Sequence, residues 1–272
     1  MIGFIQGRLS PIVDGKIQAF PWNHWINEFS LAERNNFNLI EWTLDQELLY
    51  ENPLMTKNGQ NKIKDFKSKY KIAIDSLTGD CLMQAPFFKY NKKKRDDLLD
   101  DLQNIIKSCD IVGVKYIVYP LVDNGKLENK NQERVLIEGL KKFYTILSDT
   151  GIKIVFESDF SPQKLKRFIE KFPSESFGIN YDIGNSASLG YNNQQEIEAY
   201  GDRIFNVHVK DRLLHGDTVP LGHGDADIPG AINELKAIGY DGNYVLQTAR
   251  AKDSDHLGVL CKYRDQLVKW IS

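Results

Sequence analysis

The feature that most restricts this chain is a regular alternation. Short runs rich in β-branched and aromatic residues take turns with longer stretches whose apolar residues recur at helical spacing. A helix between two strands returns the chain to the same end of a sheet, so the alternation predicts parallel strands with helices packed outside them. Strand candidates run Ile2 to Gln6, Leu39 to Leu44, Ile72 to Leu77, Val114 to Leu121, Ile152 to Ser158, Phe177 to Asp182, Ile204 to Val209 and Tyr244 to Thr248. Helical period covers Asn23 to Arg34, Gln60 to Tyr70, Lys92 to Val112, Gln132 to Asp149, Pro162 to Phe172, Gln194 to Tyr200, Pro229 to Ile238 and Asp255 to Ile271. Ser161 before Pro162 predicts an N-cap with proline in the first turn, and Gly113, Gly151 and Gly239 sit where a helix hands over to a strand.

Eight strand–helix units share 272 residues, 34 each, the size of the repeat in a closed (β/α)8 barrel. No linker or low-complexity segment interrupts the series, so the expected architecture is an α/β fold with one TIM-barrel domain over residues 1–272. The loops at 8–22 and 210–228 are longer than connection requires, and in this architecture such loops build the mouth of the site.

Composition narrows the partners. Lys and Arg total 35 against 37 Asp and Glu, a net charge of -2, so no global basic field exists to hold nucleic acid or an acidic membrane. The apolar runs fall short of the ~20 residues that span a bilayer, and Met1 to Ser10 lacks the basic leader and cleavage site of a signal peptide. The expectation is a cytoplasmic protein with reduced thiols at Cys81, Cys109 and Cys261, acting on a small molecule; a homo-oligomer is compatible with all of this.

Residues two apart on a strand face one side, so inward-facing series can be read by parity. Ile2, Phe4 and Gln6 run into Arg8; Leu39 leads to Glu41 and Thr43; Val155 to Glu157; Asn180 to Asp182; Ile204 and Asn206 to His208; Val245 to Gln247. Polar groups thus gather at the C-terminal ends of the strands. Several carboxylates converging in a barrel need a common counter-charge, and one divalent cation supplies it. Glu157, Asp182, His208 and Gln247, from the fifth to eighth strands, offer three oxygen-type ligands and one imidazole, a set suited to Mn2+, Mg2+, Co2+ or Zn2+.

These residues, together with Ile40-Glu41-Trp42, Tyr181-Asp182-Ile183-Gly184-Asn185, Val207-His208-Val209-Lys210-Asp211, the run Leu221 to Asp227 and Ile238-Gly239-Tyr240-Asp241-Gly242, resemble the xylose isomerase-like TIM barrels. That family holds sugar and sugar-phosphate isomerases and epimerases, inosose dehydratases and type IV AP endonucleases. The resemblance covers nearly the whole chain and implies a metal on Glu157, Asp182, His208 and the eighth-strand residue. In the epimerase-like members that last ligand is a second glutamate, which exchanges protons from the opposite face of the sugar; here it is Gln247.

An amide can bind a metal but carries no proton at neutral pH, so Glu157 is the expected base, abstracting a proton beside a carbonyl to give a metal-stabilised enediolate. One base returning the proton on the same face suits aldose–ketose isomerisation, and loss of a β-hydroxyl would make the reaction a dehydration. Two carboxylates balance a dication, which tolerates an anionic substrate better than three would. Lys210 and His223 are candidate proton donors. Gln6, Arg8, Glu41, Asn185, Arg212 and Arg250 are candidate substrate contacts, the arginines for a phosphate or carboxylate. Two alternatives remain: a barrel that binds sugar without turnover, and an AP endonuclease-like phosphodiesterase, for which five histidines are too few.

Overall fold

The computed structural model describes residues 1–272. Along the chain the elements run β1 (Ile2–Ile5), α1 (Trp25–Arg34), β2 (Leu39–Thr43), α2 (Lys57–Tyr70), β3 (Ser76–Thr78), α3 (Asp80–Gln84), α4 (Lys92–Val112), β4 (Tyr116–Leu121), α5 (Lys130–Lys141) and α6 (Tyr144–Thr150). They continue with β5 (Lys153–Ser158), α7 (Pro162–Ile169), β6 (Phe177–Asp182), α8 (Ile183–Ser188), α9 (Asn193–Tyr200), β7 (Ile204–Val209), β8 (Asp211–Arg212), β9 (Thr218–Val219), α10 (Ile228–Ala237), β10 (Asn243–Leu246) and α11 (His256–Ile271). The barrel closes in the order β1-β10-β7-β6-β5-β4-β3-β2, and β8 with β9 forms a separate two-stranded hairpin on the seventh loop. This is a (β/α)8 TIM barrel. No helix is long and apolar enough to cross a membrane.

Helix ends follow local chemistry. Asn91 accepts from the Lys94 N–H at 3.2 Å to start α4, and Gly113, at φ 78°, ends it in the left-handed conformation that glycine adopts without strain. Ser161 precedes Pro162 as expected, but its side chain makes no capping bond. The helix expected over 132–149 is two. The Lys142 and Phe143 N–H groups turn to Gly139 and Leu140, three residues back, and this tighter turn separates α5 from α6. The third strand is shorter than expected, although Ala73 still bridges Leu39 before β3 begins.

Outward-facing strand residues join the helices in one cluster of 64 buried side chains. Phe156, Phe168, Phe172 and Phe177 pack there with ring centroids 4.8 to 6.0 Å apart. Each such ring contributes roughly 2–3 kcal/mol by leaving water. Trp25 and Trp42 meet edge to face at 5.6 Å within this cluster, which keeps both rings in the core.

Register fixes which face points inward. Ile5 pairs with Glu41, and Ile5, Leu39 and Val245 form a small second cluster that fills the barrel's lower interior. The first strand therefore alternates in the opposite phase to the one its sequence suggested: Phe4 faces out against Phe37 at 5.1 Å, and Ile5 faces in. An all-apolar strand carries no polar residue to mark its phase.

Candidate active site

The upper half of the barrel interior is polar because four neighbouring strands end in register. Asp182 pairs with His208, His208 with Val245, and Asn180 with Asn206, so side chains from β5, β6, β7 and β10 meet at the C-terminal mouth. One ligand atom from each of Glu157, Asp182 and His208 lies within 4.8 Å of the others, and all three residues are buried.

His208 is the pivot. Its Nε2 lies 2.8 Å from Glu41 Oε1, which turns Nδ1 toward Glu157 Oε2 at 3.1 Å and Asp182 Oδ2 at 3.9 Å. Glu41 is in turn fixed by the Ser76 hydroxyl at 2.5 Å and the Asn206 amide at 3.0 Å. Burial alone would push the imidazole down, but the Glu41 and Glu157 carboxylates overcome it and raise it to about 10. Burial also works against ionised Glu157, yet His208, Lys210 and the Asn180 amide hold that carboxyl below its ordinary range. Asp182 stays raised, because burial and the Glu157 charge outweigh Lys210.

The arrangement fits a divalent cation. His208 Nδ1 is buried with no well-directed hydrogen bond, although Glu157 Oε2 lies 3.1 Å away, and Asp182 Oδ2 meets only the Lys210 ammonium, so the ring nitrogen and two carboxylate oxygens converge on one buried point. A carboxylate on the far ring nitrogen is what holds a metal-binding imidazole in one orientation.

Around this centre the hydrogen bonds are continuous. Asn185 donates to Glu157 Oε1 at 2.8 Å and accepts from Arg212 at 3.0 Å, and Asn180 donates to Glu157 Oε2 at 2.9 Å. Lys210 lies 2.7 Å from Asp182 Oδ2 and donates to Gln247 Oε1 at 2.8 Å. Gln247 passes the chain on to Gln18 at 3.2 Å, and Gln18 to Asp80 at 2.7 Å. The amide oxygen of Gln247 is thus directed to Lys210.

The signature run at 221–227 also has a physical reason. Asp211, fully buried at the start of β8, accepts from the Gly222 and Gly224 N–H groups at 2.8 and 2.9 Å and from Ala226 at 3.2 Å, folding the loop around its carboxylate. A Cβ at Gly224 would run into the Asp211 carboxylate, so only glycine lets the backbone come this close.

Glu157, Lys210, Arg212, Asn185 and Gln247 all line one cavity of about 760 Å3 at the mouth. Other expected contacts lie elsewhere. Gln6 is buried beneath the mouth, accepting from the Thr43 N–H, and Glu41 is sealed behind His208. Arg8 donates to Ile17 O at 2.5 Å, and Arg250 donates to Gly7 O and Ser10 O; both clamp the first loop instead of facing the cavity. The reversed phase of β1 explains the loss of Gln6 and Arg8. His223 is exposed, because Asp211 binds the backbone on both sides of it and leaves its ring outside the cavity lining. Conversely Gln18, Asp80, His215 and Asp217 line the cavity unforeseen. Asp80 follows a strand through Gly79, a signal hidden by ending that strand at Leu77.

Comparison with known proteins identifies the family. Residues 29–263 match the family model described as xylose isomerase-like TIM barrel. A putative L-ribulose-5-phosphate 3-epimerase of Haemophilus influenzae is 23% identical over 270 residues, covering 93% of each chain. An inosose isomerase of Bacillus subtilis is 24% identical over 169 residues, 57% of this chain, and the match spans 61% of that protein. The solved IOLI protein with a bound zinc atom superposes with a TM-score of 0.77 at 17% identity, covering 100% of this chain and 98% of that one.

Proposed function

Because the chain belongs to the xylose isomerase-like TIM-barrel family, we propose that it is a sugar isomerase or epimerase that moves a proton beside a carbonyl, using a divalent cation held by Glu157, Asp182 and His208. The observation that carries the reading is the meeting of these three buried side chains, with one ligand atom of each within 4.8 Å of the others. The relatives named as isomerases and epimerases, and the zinc in a solved neighbour, support it.

Mn2+, Mg2+, Co2+ and Zn2+ all accept such a donor set. When bound, the cation polarises the substrate oxygens and offsets the negative charge that develops on them. The remaining work falls to the chain itself. Glu157 is the base: its carboxyl is held ionised, faces the cavity and is aimed by the Asn185 and Asn180 amides. Arg212 fixes Asn185, and so the orientation of Glu157. Lys210 has an ammonium at the same mouth and serves as proton donor to a substrate oxygen.

Gln247 has no proton to exchange at neutral pH, so transfer by Glu157 on one face favours aldose–ketose isomerisation. The test is metal analysis of the purified protein together with solvent-deuterium incorporation into a panel of ketoses and aldoses. Bound metal with exchange is expected. Sugar binding without exchange would leave a binding protein and overturn the catalytic reading.

A further inference from the structure

The charges around the cavity are lopsided. Asp80, Asp123, Glu157, Asp159 and Asp217 line it, against Lys210 and Arg212 as the only lysine or arginine. Both cations are committed. Lys210 sits between Asp182 and Gln247, and Arg212 donates to Gly216 O through two nitrogens, at 3.1 and 2.8 Å, and to Asn185 through the third. Among the acids, Asp159 has a lysine partner, Lys126 at 2.6 Å. Asp80 is bonded only to neutral groups, the Gln18 amide at 2.7 Å and the Thr78 hydroxyl at 3.4 Å, while Asp123 and Asp217 have no cationic partner.

The two helix starts at the mouth are also taken. At the start of α3 the Cys81 and Leu82 N–H groups are bonded to Leu44 O and Gly79 O, and Asp182 accepts the Asn185 N–H at the start of α8 at 2.9 Å. A phosphate dianion needs arginine or lysine forks, and the one lysine and one arginine of this wall are already bonded to Asp182, Gln247, Gly216 and Asn185. A polyol meets the opposite situation, since every hydroxyl can donate to a carboxylate or amide oxygen on the wall.

Resting on the isomerase reading above, we propose that the pocket takes an uncharged polyhydroxylated substrate, a free ketose, and rejects its phosphorylated form. Rejection is by like charge, which discriminates more sharply than a missing contact. Burial, with the Asp45, Glu157 and Glu41 charges adding to it and the Gln18 amide opposing it, pushes the Asp80 carboxyl up to about 7.

The experiment measures binding to the full chain, with and without Mn2+, by calorimetry. The probes are D-fructose against D-fructose 6-phosphate, D-ribulose against D-ribulose 5-phosphate, and inorganic phosphate. In any pair that binds, the free sugar should bind at least about tenfold more tightly; equal or tighter binding of the phosphate overturns the proposal. Independently, the Asp80→Asn, Asp217→Asn double variant should bind inorganic phosphate about tenfold more tightly than the parent, with circular dichroism confirming its fold. Unchanged phosphate affinity would also overturn it. Failure of the isomerase reading shows separately, as absence of deuterium exchange while the binding preference persists.

Discussion

The Nε2 atom of His208 lies 2.8 Å from Oε1 of Glu41, on a strand three places round the barrel, and both side chains are fully buried. This single contact sets the tautomer and the tilt of the imidazole, and so directs Nδ1 toward Glu157 and Asp182. Glu41→Gln should therefore weaken Mn2+ or Zn2+ binding by about 10- to 100-fold while leaving the fold intact. Calorimetric metal titration reads this directly, and an unchanged affinity would show that Glu41 has no part in aiming the ring.

Glu157→Gln removes the only carboxylate that both lines the cavity and belongs to the buried triad. Deuterium exchange into substrate should fall by at least about 100-fold, the scale of a lost general base. Retained exchange would assign the base elsewhere, with Asp80 the next carboxyl to substitute.

Gln247→Glu places a carboxylate 2.8 Å from the Lys210 ammonium and gives up the amide donation to Gln18. The added negative charge should raise metal affinity and introduce exchange from the second face of the sugar, read as formation of an epimer. Loss of metal binding in this variant would mean that Lys210 and Asp182 had been pulled out of place.

Asp211→Ala leaves three backbone N–H groups without their acceptor. The expected cost is about 2–3 kcal/mol, a fall in Tm of roughly 5–10 °C, because hydrogen bonds to a buried carboxylate are among the stronger ones. Calorimetric melting measures it. A stable variant with an unchanged seventh loop would show that other contacts hold this loop.

Glu28 supplies a pH dependence. Its carboxyl is buried and accepts from the Gly7 and Leu9 N–H groups and the Ser10 hydroxyl. Burial, against these hydrogen bonds and the Arg250 charge, pushes it up from 4.5 to about 7. Between those values the folded chain keeps a proton that the unfolded chain has lost, so this group's contribution to stability is full below about pH 4.5 and declines as pH rises to about 7. The loss is at most about 3 kcal/mol. Comparing urea unfolding of the parent and Glu28→Gln from pH 4.5 to 7.5 isolates it, and parallel pH profiles would reject the assignment.

Much of the fold was legible from the chain alone. Period and punctuation gave eight strand–helix units, because local backbone preference and burial of one face act over a few residues at a time. The convergence of Glu157, Asp182 and His208 at one end of the barrel was legible as well, since a strand's parity places a polar residue at its end wherever the strand has a polar residue to mark its phase. The sixth and seventh strands, Phe177 to Asp182 and Ile204 to Val209, match their expected bounds residue for residue.

Tertiary structure decided the rest. The phase of β1 depends on its pairing with Leu39 and Glu41, strands distant in sequence, and that pairing withdrew Gln6 from the site and turned Arg8 into a clamp. Whether an arginine meets a ligand or a carbonyl, and whether Asp80 faces a cation or only Gln18, depends on loops whose course is set by long-range hydrogen bonds such as those of Asp211 and Glu28. Residue type and spacing fix which side chains can do chemistry; only the closed barrel, by bringing strand ends from across the chain into one low-dielectric space, fixes which of them meet.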